Sequence, residues 1–187
     1  NARINIIPNF LTEEKMNRII SFIDSNLDKF SMPQELRHVL MYGFQKGYEP
    51  GKLDFDLISQ IKDIIIEEYF PKLEKTIYDL YGNDGNTELS NWWVSKQLPG
   101  SVLLYHHDDD NGYNSQFKYS CILYLNTVDS GDLESPELGF SYRPKAGDLV
   151  VFPSLGDNMG HEIKEINHNR YSMPTWFASK EYKLYYN

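Results

Sequence analysis

Cysteine is almost missing from this chain: Cys121 stands alone, so no intramolecular disulfide can staple the fold, and a reducing, cytoplasmic setting is the expectation. Its place in the run Ser120-Cys121-Ile122-Leu123-Tyr124 reads as a small buried hydrophobe, not a reactive thiol. Long apolar runs are also lacking. None approaches the roughly 18 residues of a membrane span, and the amino-terminal residues show no basic-then-apolar signal pattern, so no membrane association is expected. Positive charge is the minority, with 18 Lys and Arg against 27 Asp and Glu and a net charge of −9. That balance counts against nucleic acid as a partner, since a sequence-independent binder needs a basic face for the phosphates. Internal repeats and low-complexity segments are absent as well. What remains is 187 residues, 41% hydrophobic and 14% aromatic, a composition that fits one globular domain with its own core rather than a disordered chain.

The order of the hydrophobic patterns suggests how that domain is built. Ile4 to Phe10 reads as a short extended entry. Thr12 is then a helix N-cap with Glu13 and Glu14 in the first turn, and Met16, Ile19, Ile20, Ile23 and Leu27 recur at helical spacing. Asp54 to Phe70 repeats the pattern through Leu57, Ile58, Ile61, Ile64 and Ile65. Pro71 opens a third helix through Leu73, Ile77 and Leu80, with a stop near Gly82. Between the first two lies an irregular arm, Phe30 to Gly51, in which Arg37 to Tyr42 can form a strand. Substrate contacts are expected on such an arm.

Beyond residue 88 short strands take over: Leu89–Gln97, Ser101–His107, Lys118–Asn126, Leu138–Arg143, Asp148–Phe152, His161–Ile166 and Arg170–Phe177. Helices followed by about seven short strands point to a mainly β fold with packed helices (α+β), a double-stranded β-helix or jelly-roll barrel of cupin-like form supported by the amino-terminal helices. Residues 1–88 would be the helical support and substrate arm, and residues 89–187 the jelly-roll core. The acidic stretch Asp129 to Glu137 reads as a solvated turn or a second substrate loop. Trp92 and Trp93 are adjacent, so alternation lets only one of them face inward.

Within this frame the chemistry gathers at Tyr105-His106-His107-Asp108-Asp109, with His161 and Arg170 far downstream. A His-x-Asp pair on a strand puts an imidazole and a carboxylate on one side. A distant histidine completes a facial set of two histidines and one carboxylate, which suits non-haem Fe(II) and oxygen chemistry. Two registers compete, His106 with Asp108 and His107 with Asp109. Arg170, nine residues past His161, offers a fixed cation for a carboxylate co-substrate.

These residues resemble the Fe(II)- and 2-oxoglutarate-dependent dioxygenases, most closely the prolyl 4-hydroxylase-like branch with its small bacterial and phage-encoded members. The likeness covers roughly residues 90 to 178. It is carried by Pro99-Gly100, His106-x-Asp108, Tyr124-Leu125-Asn126, Pro144-Lys145-x-Gly147-Asp148, Phe152-Pro153, Gly160-His161, Arg170-Tyr171 and Trp176. The resemblance selects the register of His106, Asp108 and His161 as catalytic metal ligands, with His107 turned the other way. It implies Fe(II), 2-oxoglutarate and O2, with ascorbate as accompanying reductant. It places Arg170 and Tyr124 on the far carboxylate of 2-oxoglutarate and Trp176 at the border of the iron pocket. Gln97 stands where many prolyl 4-hydroxylases carry a tyrosine, and a hydrogen-bonding place in the pocket is expected of it too. The implied reaction is hydroxylation of an unactivated C–H bond with release of succinate and CO2, and the implied partner is a proline-containing peptide or protein. The alternatives are a free amino acid or other small molecule, an AlkB-like nucleic-acid demethylase, and a non-catalytic metal-binding jelly roll. An AlkB-type chain normally carries two arginines after its last histidine; the run Tyr171 to Phe177 has none.

Overall fold

The computed structural model describes residues 4–32, 38–45, 54–108, 117–154 and 160–181. Much of the expected substrate arm, residues 33–37 and 46–51, lies outside the described residues.

Helix α1 (Glu13–Ser25) starts where the capping pattern puts it: the Thr12 hydroxyl accepts from Lys15 N at 3.4 Å, and Met16, Ile19, Phe22 and Ile23 are buried on one face. The two later helices expected from the sequence form one helical run. It passes through α2 (Phe55–Ile58), a 3-10 turn (Ser59–Ile61), α3 (Lys62–Ile64), a π turn (Ile65–Tyr69) and α4 (Phe70–Tyr81). Pro71 is the reason for the irregularity. It lacks an N–H and its ring crowds the carbonyl four residues back, and a π turn just before it takes up the misfit without ending the helix. Ile61, Ile64, Ile65, Tyr69, Leu73 and Ile77 stay buried along the run. Gly82, at φ 85, stops it.

The strands form two antiparallel sheets. The larger joins β1 (Asn5–Ile7), β2 (Val39–Gln45), β3 (Thr87–Gln97), β5 (Phe117–Tyr124), β8 (Leu149–Pro153) and β10 (Arg170–Ser179) in the order β1-β8-β5-β10-β3-β2. The smaller joins β4 (Leu103–His106), β6 (Leu133–Ser135), β7 (Phe140–Tyr142) and β9 (His161–Ile163) in the order β4-β9-β6-β7. Strand β6 falls inside the stretch Asp129 to Glu137, read above as a loop. Three residues with one apolar side chain give no periodic signal, and pairing to β7 and β9 supplies the strand.

Period two then divides the larger sheet. One face, with Trp92, Val94, Leu123, Val151, Met173 and Phe177, packs in a single cluster with the helices. On the other side Tyr124, Val150 and Phe152 cluster with Leu133, Ile163 and Ile166 from the region of the smaller sheet. Between the two sheets lies a cavity of about 450 Å³ lined from β2, β3, β4, β5, β9 and β10. Among the described residues no helix is long and apolar enough to cross a membrane.

Candidate active site

Strands β4 and β9 lie side by side with His106 and His161 in register. Their imidazole rings therefore rise together, 4.4 Å between centroids. Strand β4 ends at His106, and Asp108 belongs to the turn that follows, so the expected strand alternation does not itself aim the carboxylate. The turn brings Asp108 Oδ1 to 3.1 Å from His106 Nε2 and 3.5 Å from His161 Nε2. One ligand atom from each of the three residues lies within 4.8 Å of the others.

The surrounding bonds orient this trio. Leu104 O is 2.8 Å from His106 Nδ1, and a carbonyl only accepts, so Nδ1 donates to it and Nε2 is the ring nitrogen that faces Asp108. A histidine held by a backbone carbonyl at Nδ1 with Nε2 beside a carboxylate oxygen is the arrangement of a metal-ligating imidazole. The other carboxylate oxygen, Oδ2, accepts from Ser120 Oγ at 2.6 Å and from Trp176 Nε1 at 3.1 Å. Burial pushes the Asp108 carboxyl up. The His106 bond, the charges of His161 and His106 and the Ser120 bond outweigh it, and the group ends well below the usual carboxylate range. His107 is not part of the trio. It contributes to the cavity lining, but its ring packs against the half-exposed Tyr105, centroids 5.6 Å apart.

A second group of residues lines the same cavity. Arg170 opens β10 and is 1% exposed. It donates from Nε to Gln97 Oε1 at 2.7 Å and from Nη1 to Gly131 O at 2.7 Å. Gln97 is its registered partner across the sheet. Both acceptors are neutral. Burial lowers the guanidinium pKa, but the group stays charged under any physiological condition. The ring of Tyr124 lies 5.3 Å from its Cζ. The Tyr124 hydroxyl is buried with no hydrogen-bond partner among the described residues, and burial raises its pKa while Arg170 lowers it. A buried cation on neutral acceptors beside an orphaned donor is costly unless an anion joins them. The donor set therefore fits a carboxylate, and the His106, Asp108 and His161 set fits a divalent metal.

Two contributors escaped the sequence reading. Ser120, in the middle of an apolar strand, carried no signal. Gly131 could have been found only as a glycine in a turn. At φ 71 it occupies the left-handed region, and a Cβ there would stand 2.6 Å from Arg170 Nη1 and 2.7 Å from Ile166 Cγ1. The tryptophan pair is also resolved: Trp92 is buried against Phe70, ring centroids 5.6 Å apart, while Trp93 lines the cavity.

The profile described as the 2OG-Fe(II) oxygenase superfamily matches residues 92–178, which include every site residue named above. No curated protein matches the sequence. Among solved structures, the viral collagen prolyl hydroxylase of Paramecium Bursaria Chlorella virus-1 in complex with 2-oxoglutarate superposes with a TM-score of 0.70 at 15% identity, covering 97% of this chain and 98% of that one. A Pseudomonas putida prolyl-4-hydroxylase gives 0.68 at 20% identity over 94% and 92%. A prolyl hydroxylase from Trichoplax adhaerens, in complex with a hypoxia inducible factor peptide fragment, gives 0.63 at 20% over 97% and 86%. Residues 92–178, which supply most of the cavity lining, therefore carry a domain of the 2OG-Fe(II) oxygenase superfamily, an oxidoreductase domain of the dioxygenase type, on a fold held in common with these hydroxylases.

Proposed function

We propose that this protein hydroxylates an unactivated C–H bond of a proline residue in a peptide or protein loop, using Fe(II), O2 and 2-oxoglutarate and releasing succinate and CO2. The observation that carries the reading is the opening of two chemically distinct sets into one cavity: His106, Asp108 and His161 at one place, Arg170 and Tyr124 at another. When bound, Fe(II) and 2-oxoglutarate supply the oxidising power, the keto acid being decarboxylated as one oxygen atom enters the substrate C–H bond.

The chain's own residues would do the rest. His106 Nε2, Asp108 Oδ1 and His161 Nε2 would hold the metal. Ser120 and Trp176 occupy Asp108 Oδ2, so Oδ1 is the oxygen offered. Arg170 takes the far carboxylate with Tyr124 as second donor, and Gln97 keeps the guanidinium turned toward it. No side chain acts as a general base. Ascorbate serves as the added reductant. The peptide reading draws on the prolyl hydroxylases among the structural neighbours, one of them solved with a peptide.

The test is turnover of purified protein with Fe(II), 2-oxoglutarate, ascorbate and proline-containing peptides, followed by succinate release and peptide mass. The expected result is peptide-stimulated succinate with a gain of one oxygen on proline, lost on Arg170→Ala. Metal binding with no affinity for 2-oxoglutarate would overturn the reading in favour of a binding protein.

A further inference from the structure

We propose that Trp93 is the specificity-determining residue of the cavity, forming with Trp176 an aromatic corner that receives an uncharged aliphatic residue within a peptide chain. The inference rests on the hydroxylase reading above and goes beyond it to the wall that selects the substrate.

Trp93 lies on the cavity face of β3, half-buried, whereas its neighbour Trp92 points into the helix-facing core and is fully buried. A tryptophan recruited for packing alone would sit as Trp92 does. The indole of Trp93 meets that of Trp176 edge to face, with centroids 4.6 Å apart and planes at 77°. Trp176 in turn donates to Asp108 Oδ2 at 3.1 Å. A group resting on this corner is therefore one indole away from the metal ligands.

The registered partner of Trp93 on β2 is Gly43, which presents no side chain, and a Cβ there would stand 2.0 Å from Trp92 O. On the other side, the ladder from β10 to β3 runs from Ser172 opposite Ser95 to Thr175 opposite Trp92, passing over Met173 and Pro174. Pro174 has no N–H to offer that ladder. Val39, Met41 and Pro174 line the same cavity.

The charge distribution specifies the occupant. Among the described lining residues, Asp108 and Arg170 are the carboxylate and the guanidinium; the hydroxylase reading commits them, with His106 and His161, to the metal and the co-substrate and leaves His107 as the one further titratable group. A free amino acid would bring a carboxylate and an ammonium to a wall of Val39, Met41, Trp93 and Pro174, where unpaired charge is costly. A residue inside a peptide brings neutral amides and an aliphatic face that lies well on an indole.

The experiment uses blocked oligoproline and free L-proline as probes on the Mn(II)- and 2-oxoglutarate-loaded protein under nitrogen, with indole fluorescence as the binding readout, alongside KM from succinate release in air. The expected result is a fluorescence change with the blocked peptide and none with free L-proline. Trp93→Ala should raise the peptide Kd and KM at least tenfold, and Trp93→Phe should return them to within about threefold, a rescue that a purely structural role would not require. Equal peptide Kd in wild type and Trp93→Ala would overturn the inference and leave the hydroxylase reading standing. Binding of free L-proline in preference to the peptide would overturn the inference as well. Absence of any 2-oxoglutarate-dependent succinate would instead overturn the reading beneath it.

Discussion

Asp108 reaches two histidines with one oxygen because its other oxygen is held by Ser120 and Trp176. Outer contacts of this kind typically carry about 10- to 100-fold in metal affinity. Ser120→Ala should therefore weaken Mn(II) binding by about that factor in a calorimetric titration, and unchanged affinity would mean that Asp108 is oriented by something else. Gly131 acts on the other pole of the cavity. Gly131→Ala places a methyl 2.6 Å from Arg170 Nη1 at a backbone angle that L-residues avoid, and the guanidinium must move off its carbonyl acceptor. Loss of such a charge-assisted bond costs about 1.5–3 kcal/mol, so KM for 2-oxoglutarate should rise about tenfold or more while kcat changes less. The grouping of His106, Asp108 and His161 with Arg170 could be anticipated from the sequence because histidine and arginine are scarce in it and fall in a telling order. Ser120 and Gly131 could not, since a hydroxyl in an apolar strand and a glycine in a turn look the same wherever they occur.

At the scale of elements, periodicity succeeded where a segment was long enough to repeat. Helix α1 and strands β3, β5 and β10 follow their apolar patterns within a few residues. The pattern could not show that Pro71 sits inside a continuing helix, because the π turn that absorbs it is a backbone adjustment and leaves no mark in residue types. Nor could it show where β4 ends, which decides how Asp108 points. Electrostatics ties two elements together near the start of β3. Asp84 accepts from Lys118 Nζ of β5 at 2.8 Å, from Asn86 N at 2.8 Å and from Thr87 Oγ1 at 2.9 Å. The Lys118 bond, then those of Asn86 and Thr87, hold its carboxyl below the ordinary value. A depressed folded-state pKa stabilises above the unfolded value of about 4 and loses that contribution as pH falls below it. Asp84→Asn should accordingly lower Tm at pH 7 and narrow the difference from wild type below pH 4, as scanning calorimetry would show; a difference that did not vary with pH would contradict the assignment.

Across the whole molecule, the two sheets divide the labour. The larger packs its Trp92, Leu123 and Met173 face on the helices and gives its other face to the cavity. The smaller contributes His106 and His161 from neighbouring strands. The mainly β class with supporting helices could be read from the order of patterns alone. The partition of strands between the sheets could not, because β6 and β9 are three residues each and take their pairing from tertiary contact. The most direct measurement is a crystal structure of the protein with Mn(II) and a non-decarboxylating 2-oxoglutarate mimic. The account predicts one metal ion on His106, Asp108 and His161, with the mimic's far carboxylate on Arg170 and Tyr124. A metal bound elsewhere, or a carboxylate that leaves Arg170 on Gln97 and Gly131 alone, would contradict it.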